Sequence, residues 1–513
     1  MASKLYSILN QLKLQLNRAK ISVGRALIGN CNVAHERRGY CSTKRVTLYT
    51  KLSPLGSPGF SIKPELNNWV NDGKKLCFAE LLRIIHDFRK RKRYTHALEV
   101  SEWMYEKGLC EFTPTEHAIQ LDLIGRVRGF LSAENYFYSL RDVDKTKKTY
   151  GALLNCYVRQ RQIEKSLAHF QKMKEMGFAS TTLTYNDIMC LYTNIGQYDK
   201  VPDVLAEMKK NNVSPDNYSY RLCINSYGAR SDIEAVGNCL KEAETQPHMA
   251  VDWNTYAVAA NFFIKEKLIE KTFNALKKAE VRLDNKDSAG YNFIISLYAK
   301  LGEKDEILRL WELEKNTCRK CINRDYITVL ESLVKIGALE EAENVLNEWE
   351  STKNMYDFRV PNIVIRGYLN KGLSEKAEAM LDKLLKKGCS CNPNTWSMLA
   401  GSYQEKGEMH KAMSCMRVGL SFYVPNKGWR PSDQIICSLL GWIGDHGSLE
   451  DAESFVKVLR NVIPVDRPMY HALIKTYIRN GKNVDGLLDR MKADKLDEDE
   501  KTRMILSTIP TKF

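Results

Sequence analysis

Six tyrosines, Tyr150, Tyr185, Tyr220, Tyr256, Tyr291 and Tyr326, stand 35, 35, 36, 35 and 35 residues apart. Gly302, Gly337, Gly372 and Gly407 continue the interval of 35, as do Ala342, Ala377 and Ala412, and the comb resumes at Trp396 and Tyr470. Self-similarity at this period describes a stack of like units, each burying its apolar face against its neighbours, and not one closed core. A chain of 513 residues would otherwise suggest several globular domains.

One unit shows what is stacked. From Arg324 onward, Tyr326, Val329, Leu330 and Leu333 fall at i, i+3, i+4 and i+7, the spacing of one helical face. Gly337 breaks that helix, and Ala342, Val345, Leu346 and Trp349 repeat the same spacing on a second one. The unit at Leu183 agrees, with Val201, Val204, Leu205 and Met208 on its second helix. About twelve such units follow one another, starting near Ala79, Thr115, Lys148, Leu183, Tyr218, Asn254, Ala289, Arg324, Arg359, Asn394, Gln434 and Pro468. The expected fold class is all-α, with the helix pairs of residues 79–494 wound into a right-handed superhelical solenoid. Gly302, Gly337, Gly372, Gly407, Gly447 and Gly481 should occupy the turns between paired helices.

The unit Leu183–Asn217 reads LTYNDIMCLYTNIGQYDKVPDVLAEMKKNNVSPDN. Its aromatic-Asn opening, mid-unit glycine, late methionine and Pro-Asp ending resemble a pentatricopeptide repeat. The 35-residue period sets it apart from the 34-residue tetratricopeptide unit. The resemblance runs from about Ala79 onward, fits the P-type subfamily of plant organellar proteins, and includes the run His96-Ala-Leu-Glu-Val-Ser-Glu-Trp-Met of one mitochondrial branch. It implies a groove that reads single-stranded RNA one base per repeat. The fifth residue of each unit would face the base and the last would assist.

Carried onto this chain, that gives the pairs Ala152 with Thr182 and Asp187 with Asn217, and the single candidates Thr328 and Ser438. Other fifth positions are Leu222, Val258, Phe293, Ile363 and Met398. Apolar side chains cannot hydrogen-bond a base edge, so a sharp base-by-base code is not expected.

The basic residues are better placed for a phosphate backbone. Twelve residues into each unit stand Lys90, Arg126, Arg159, Lys265, Lys300, Lys335 and Arg479, with Arg89-Lys-Arg-Lys-Arg93 around the first. One cation per repeat can follow a strand. Cations at helix C-termini are also favoured by the helix dipole alone. The row is interrupted at Asn194, Ala229, Asn370, Glu405 and Asp445.

The formal net charge of +15 suggests an acidic partner. Residues 1–41 contribute seven Lys or Arg against the single acid Glu36, which leaves about +9 for the remainder. Lys4, Lys13, Arg18, Lys20 and Arg25 are interleaved with Leu5, Ile8, Leu9, Leu12, Leu14 and Leu16, the acid-poor amphipathic pattern of an organellar transit peptide. Arg38-Gly-Tyr-Cys-Ser-Thr resembles a plant mitochondrial processing site, so a mitochondrion is expected ahead of a chloroplast. Residues 42–78 read as a Pro/Gly/Ser linker with a short lead-in, and residues 495–513 as a charged tail. No apolar run approaches the ~20 residues of a membrane helix, so no membrane partner is expected.

Of the 14 cysteines, Cys156, Cys190, Cys223 and Cys437 fall on first helices, where a free thiol packs as a small hydrophobe. Cys318-Arg-Lys-Cys321 is an isolated C-x-x-C, two repeats from Cys389 and Cys391. No metal or other cofactor is expected. No histidine opens an H-x-E, and no P-loop or nucleophile elbow is present. The sequence therefore points to a monomeric, non-catalytic RNA-binding adaptor acting in mitochondrial transcript stability, processing or translation. The alternative is a structural scaffold, such as a mitochondrial ribosome component touching ribosomal RNA or ribosomal proteins.

Overall fold

The computed structural model describes residues 47–508, apart from residues 57–58, 110, 285–287, 319, 353–355, 387–391 and 424–428. The transit-peptide reading of residues 1–41, and Cys389 and Cys391, lie outside the described residues. Among the described residues the regular elements are helices, without a β-strand. They come in consecutive pairs. Repeats 1 to 6 are Phe78–Lys90 with Tyr94–Glu106, Pro114–Val127 with Phe130–Ser139, Lys147–Arg159 with Ile163–Glu175, Thr182–Asn194 with Lys200–Lys210, Asn217–Ala229 with Ile233–Glu244, and Trp253–Lys265 with Ile269–Val281. Repeats 7 to 12 are Ala289–Leu301 with Lys304–Thr317, Asn323–Lys335 with Leu339–Ser351, Arg359–Asn370 with Ser374–Lys386, Pro393–Glu405 with Met409–Ser421, Asp433–His446 with Leu449–Leu459, and Arg467–Arg479 with Asp485–Ala493. The described helices gather into two compact bodies, divided between Glu266 and Lys267.

The tyrosine comb is core. All six members are buried, as are Trp396 and Tyr470. A buried phenol needs a partner for its hydroxyl. Tyr185 accepts from Asn211 Nδ2 at 2.7 Å, Tyr220 donates to Glu242 at 3.0 Å, and Tyr326 donates to Glu348 at 3.1 Å. Each of those partners sits on the second helix of the same repeat or at its end, so the comb clamps a pair together.

A second row of tyrosines stands seven residues further along the first helices. Tyr157, Tyr298, Tyr368 and Tyr477 donate to Glu134 (2.5 Å), Glu280 (2.7 Å), Glu343 (2.6 Å) and Glu453 (2.5 Å), and Tyr403 donates to Glu378. Each glutamate lies on the second helix of the preceding repeat. Two turns of helix therefore separate a tyrosine that closes its own pair from one that ties it to the pair before.

The turns between paired helices carry a residue in the left-handed region. Gly302, Gly337, Gly372, Gly407 and Gly481 have φ of 82°, 80°, 70°, 77° and 64°. Gly447 also lies between its helices, but at φ −70°. There a Cβ would stand 2.8 Å from the Ile443 carbonyl oxygen, so close approach explains the glycine. In earlier repeats Lys92, Arg161, Ser231 and Lys267 hold the same slot at φ of 60°, 54°, 58° and 57°. Left-handed backbone costs an L-residue about 1–2 kcal/mol, and glycine gives back part of that in chain entropy. Ser231→Gly should therefore raise stability by roughly 0.5–1 kcal/mol in chemical denaturation. An unchanged or lowered midpoint would show that the turn is not strained.

Both ends of the described chain are covered by helices where the sequence suggests linker and tail. Upstream, Leu48–Leu52 and Lys63–Asn71 lie against repeat 1. Arg93 holds them by donating to the carbonyls of Ser53 (2.8 Å) and Leu55 (2.5 Å). Glu99 accepts from the Ile62 amide at 2.7 Å, and Trp103 Nε1 donates to Asn67 at 2.9 Å. Downstream, Glu500–Leu506 lies on the first helix of repeat 12, with Thr502 and Ile505 buried and His471 Nε2 2.9 Å from Thr502 Oγ1. A terminal repeat has no neighbour for its outer apolar edge, and these helices supply one. Cys156 and Cys223 are buried, whereas Cys437 is exposed.

Candidate nucleic-acid interface

After three of the comb tyrosines, the next residue reaches forward to the following repeat. Asn186 Nδ2 donates to Asp216 at 3.2 Å, Arg221 Nη1 to Asp252 at 2.7 Å, and Asn292 Nδ2 to Asp325 at 2.7 Å. Asp216 and Asp252 cap the first helices that follow them. The aromatic-Asn opening is thus a joint between repeats, and it fixes how the neighbouring fifth-position side chain is presented.

The fifth positions are unevenly exposed. Leu222 and Ile363 are buried. Ala152, Thr328 and Ser438 are half-buried. Thr328 Oγ1 turns back to the Arg324 carbonyl at 3.2 Å. Asp187 is 5% exposed. Its Oδ1 accepts from Asn155 Nδ2 at 2.8 Å, and its Oδ2 is buried without a hydrogen-bond partner. Burial pushes this carboxyl up to about 7, against the amide of Asn155 and the charge of Arg159. The assisting residues are also engaged. Thr182 Oγ1 donates to the Ser214 carbonyl at 2.9 Å. Asn217 donates to the Ala250 carbonyl at 2.9 Å and accepts from the Asp252 amide at 3.1 Å. Asp187, Thr182 and Asn217 therefore spend their hydrogen bonds on joints along the stack.

The basic slot divides into two groups. Lys90, Lys265 and Lys335 are exposed and make no ion pair among the described residues. Lys300 is exposed as well. The Lys265 ammonium stands 5.1 Å from the Phe262 ring centroid. Arg126 and Arg159 instead converge on Asp122, a carboxylate 8% exposed. Arg126 Nε reaches both its oxygens at 2.9 and 3.1 Å, Arg159 Nη1 reaches Oδ1 at 3.0 Å, and Arg89 Nη2 reaches Oδ2 at 3.0 Å. Arg159 Nη1 is also 3.1 Å from Asn155 Oδ1, which continues the chain of polar contacts to Asp187. Arg479 donates to the Gly444 and Gly447 carbonyls at the end of the preceding first helix.

The run Arg89–Arg93 is similarly shared out. Arg91 pairs with Asp87 at 2.9 Å and donates to the Tyr49 hydroxyl at 2.7 Å, and Arg93 holds the lead-in. Beside this run His86, Arg89, Lys90, Tyr94, Asp122 and Arg126 line a cavity of about 410 Å³. Sequence reasoning misses Arg89 and Asp122 as partners. The signal available is the i,i+4 spacing of Asp122 and Arg126 at the end of one predicted helix.

Comparison with known proteins then decides the family. A mitochondrial pentatricopeptide repeat-containing protein of Arabidopsis thaliana is 58% identical over 91% of this chain and 95% of its own length. The chain belongs to the pentatricopeptide repeat family. The repeat-family models match residues 180–228, and residues 148–178, 290–313 and 360–389. A second mitochondrial pentatricopeptide repeat-containing protein of the same plant is 34% identical over 83% of this chain and 86% of its own length. The Arabidopsis large ribosomal subunit protein mL101 is 31% identical over 93% of this chain and 98% of its own length. In fold, the chain resembles the crystal structure of the pentatricopeptide repeat protein PPR10 from maize, with a TM-score of 0.51 at 16% identity over 86% of this chain and 61% of that one. This pentatricopeptide repeat protein is mitochondrial, in keeping with its relatives. Among the described residues no helix is long and apolar enough to cross a membrane, and no cluster of His, Cys, Asp and Glu could hold a metal ion.

Proposed function

We propose that this pentatricopeptide repeat protein is a non-catalytic adaptor that binds single-stranded RNA in the mitochondrion, mainly through phosphates. The observation that carries the reading is the set of lysines Lys90, Lys265 and Lys335, without ion-pair partners among the described residues, at one position of the repeat, the C-terminal end of the first helix. The engagement of Asp187, Thr182 and Asn217 in joints between repeats, with burial of Leu222 and Ile363, supports weak base discrimination. Such an adaptor acts in transcript stability, processing or translation by occupying RNA.

A second reading, a structural component of the mitochondrial ribosome that contacts ribosomal RNA or ribosomal proteins, is supported by the near full-length similarity to mL101. The two separate in one experiment. Crosslinking in isolated mitochondria followed by sequencing of bound RNA should give a few footprints on messenger transcripts under the first reading and ribosomal RNA alone under the second. In vitro, the triple variant Lys265→Ala, Lys300→Ala, Lys335→Ala should bind all single-stranded sequences more weakly. Its log–log salt slope should fall by about 0.7 for each phosphate that is no longer neutralised. Unchanged affinity and slope would reject the phosphate-led reading.

A further inference from the structure

The cavity at the joint of repeats 1 and 2 gathers the basic slot of two repeats into one space. Here Arg89, Lys90 and Arg126 line the space with a single carboxylate, Asp122. Three cations against one carboxylate leave two positive charges in excess. A phosphodiester carries one negative charge, whereas a phosphate monoester carries about −1.5 to −2 at pH 7.

The guanidinium groups are held before any ligand arrives. Asp122 takes Arg126 through Nε and Arg89 through Nη2, which leaves the other edges of both forks available. The Arg126 guanidinium carbon also lies 4.6 Å from the Tyr94 ring centroid. Arg159 Nη1 also donates to Asp122 Oδ1, at 3.0 Å, and helps to fix the carboxylate. Such planar forks suit phosphate oxygens. A volume of about 410 Å³ admits more than a bare ion, so a nucleotide can enter with its sugar.

The place in the chain matters too. Lys90 and Arg126 are the slot cations of the first two helix pairs among the described residues. Upstream of them stands Tyr49, whose hydroxyl donates to Asp87 at 2.8 Å, with Arg91 on its other side.

We propose that the cavity formed by His86, Arg89, Lys90, Tyr94, Asp122 and Arg126 is a binding site for a phosphate monoester, the phosphorylated terminus of an RNA strand. The choice of RNA as the carrier rests on the function proposed above; the site itself rests on its charge and its pre-oriented guanidinium groups. The test uses the full chain and one oligonucleotide sequence in three forms: 5′-phosphorylated, 3′-phosphorylated, and with hydroxyls at both ends. One phosphorylated form should bind about tenfold more tightly than the hydroxyl form, the order of one added charge-assisted hydrogen bond. Which form gains identifies the end. The double variant Lys90→Gln, Arg126→Gln should abolish that difference while keeping its melting temperature within a few degrees. Arg89→Gln, which leaves Arg126 and Arg159 on Asp122, is the second variant should the first fail to fold. If all three forms bind equally, the terminal-phosphate site is overturned and the RNA reading stands. If no form binds, the RNA reading falls, and titration with adenosine monophosphate decides the site: binding abolished in the double variant upholds it, and no binding overturns it.

Discussion

Replacing Tyr220 by alanine should cost about 3–5 kcal/mol of folding free energy, the range for truncating an aromatic side chain in a packed core. Tyr220 is 0% exposed. Its hydroxyl donates to Glu242, and the Lys209 ammonium lies 5.7 Å from its ring centroid while pairing with the same glutamate. Removing the ring opens a void between the two helices of repeat 5 and frees a glutamate from its phenol. Tyr220→Phe keeps the ring and removes only the hydrogen bond, so it should cost about 1 kcal/mol. The pair separates packing from polarity when both are measured by urea denaturation. Full stability of the alanine variant with abolished RNA binding would make Tyr220 a stacking platform, contrary to its burial.

The second large effect is a gain, and it depends on pH. Glu314, on the second helix of repeat 7, is 0% exposed, and both its carboxyl oxygens are buried without a hydrogen-bond partner. Burial, and then the charge of Asp325, push it up to about 8, with only Arg324 pulling the other way. In the unfolded chain the same carboxyl ionises near 4.3. Below that value both states are protonated and nothing is lost. As pH rises toward 8 the unfolded state releases its proton while the folded state retains it, so stability falls by about 1.4 kcal/mol per pH unit and levels off above 8.

Glu314→Gln removes the titration. It should be more stable than the native chain by roughly 4–5 kcal/mol at pH 8, with the advantage fading toward pH 5. A difference independent of pH, or a less stable variant, would place the burden elsewhere than on this carboxyl. Asp325 beside it is equally buried but is met by Ser288, Asn292 and its own helix N-terminus, and should not be substituted in the same test.

The fold is legible because its signals repeat. The tyrosine comb, the apolar spacing after Arg324 and the glycines from Gly302 onward each report the same helix pair. The glycine series is interrupted in the first half of the sequence because Lys92, Arg161, Ser231 and Lys267 fill the left-handed slot that Gly129 and Gly196 hold in neighbouring repeats, and residue identity alone does not announce strained backbone. The second tyrosine row is equally periodic in the sequence, but its meaning lies in glutamates 18 to 25 residues upstream, a pairing that needs the packed helices to be seen. The interface is less legible. Slot position collects the cations near first-helix ends, but it does not separate Lys265 from Arg159, because Asp122 lies 37 residues from Arg159. Asp187 looks available by its place in the unit, and is instead committed to Asn155 32 residues earlier.

Those separations bear on how the chain reaches its working compartment. Tyr157 with Glu134, Asn155 with Asp187 and Lys174 with Glu207 all join residues 23 to 33 positions apart. None of these ties waits for a distant part of the sequence, and short-range pairings form fast. A polypeptide threaded through a translocase N-terminus first could settle each pair once the following one emerged, about 35 residues later. Arrival and assembly would then proceed at the same pace.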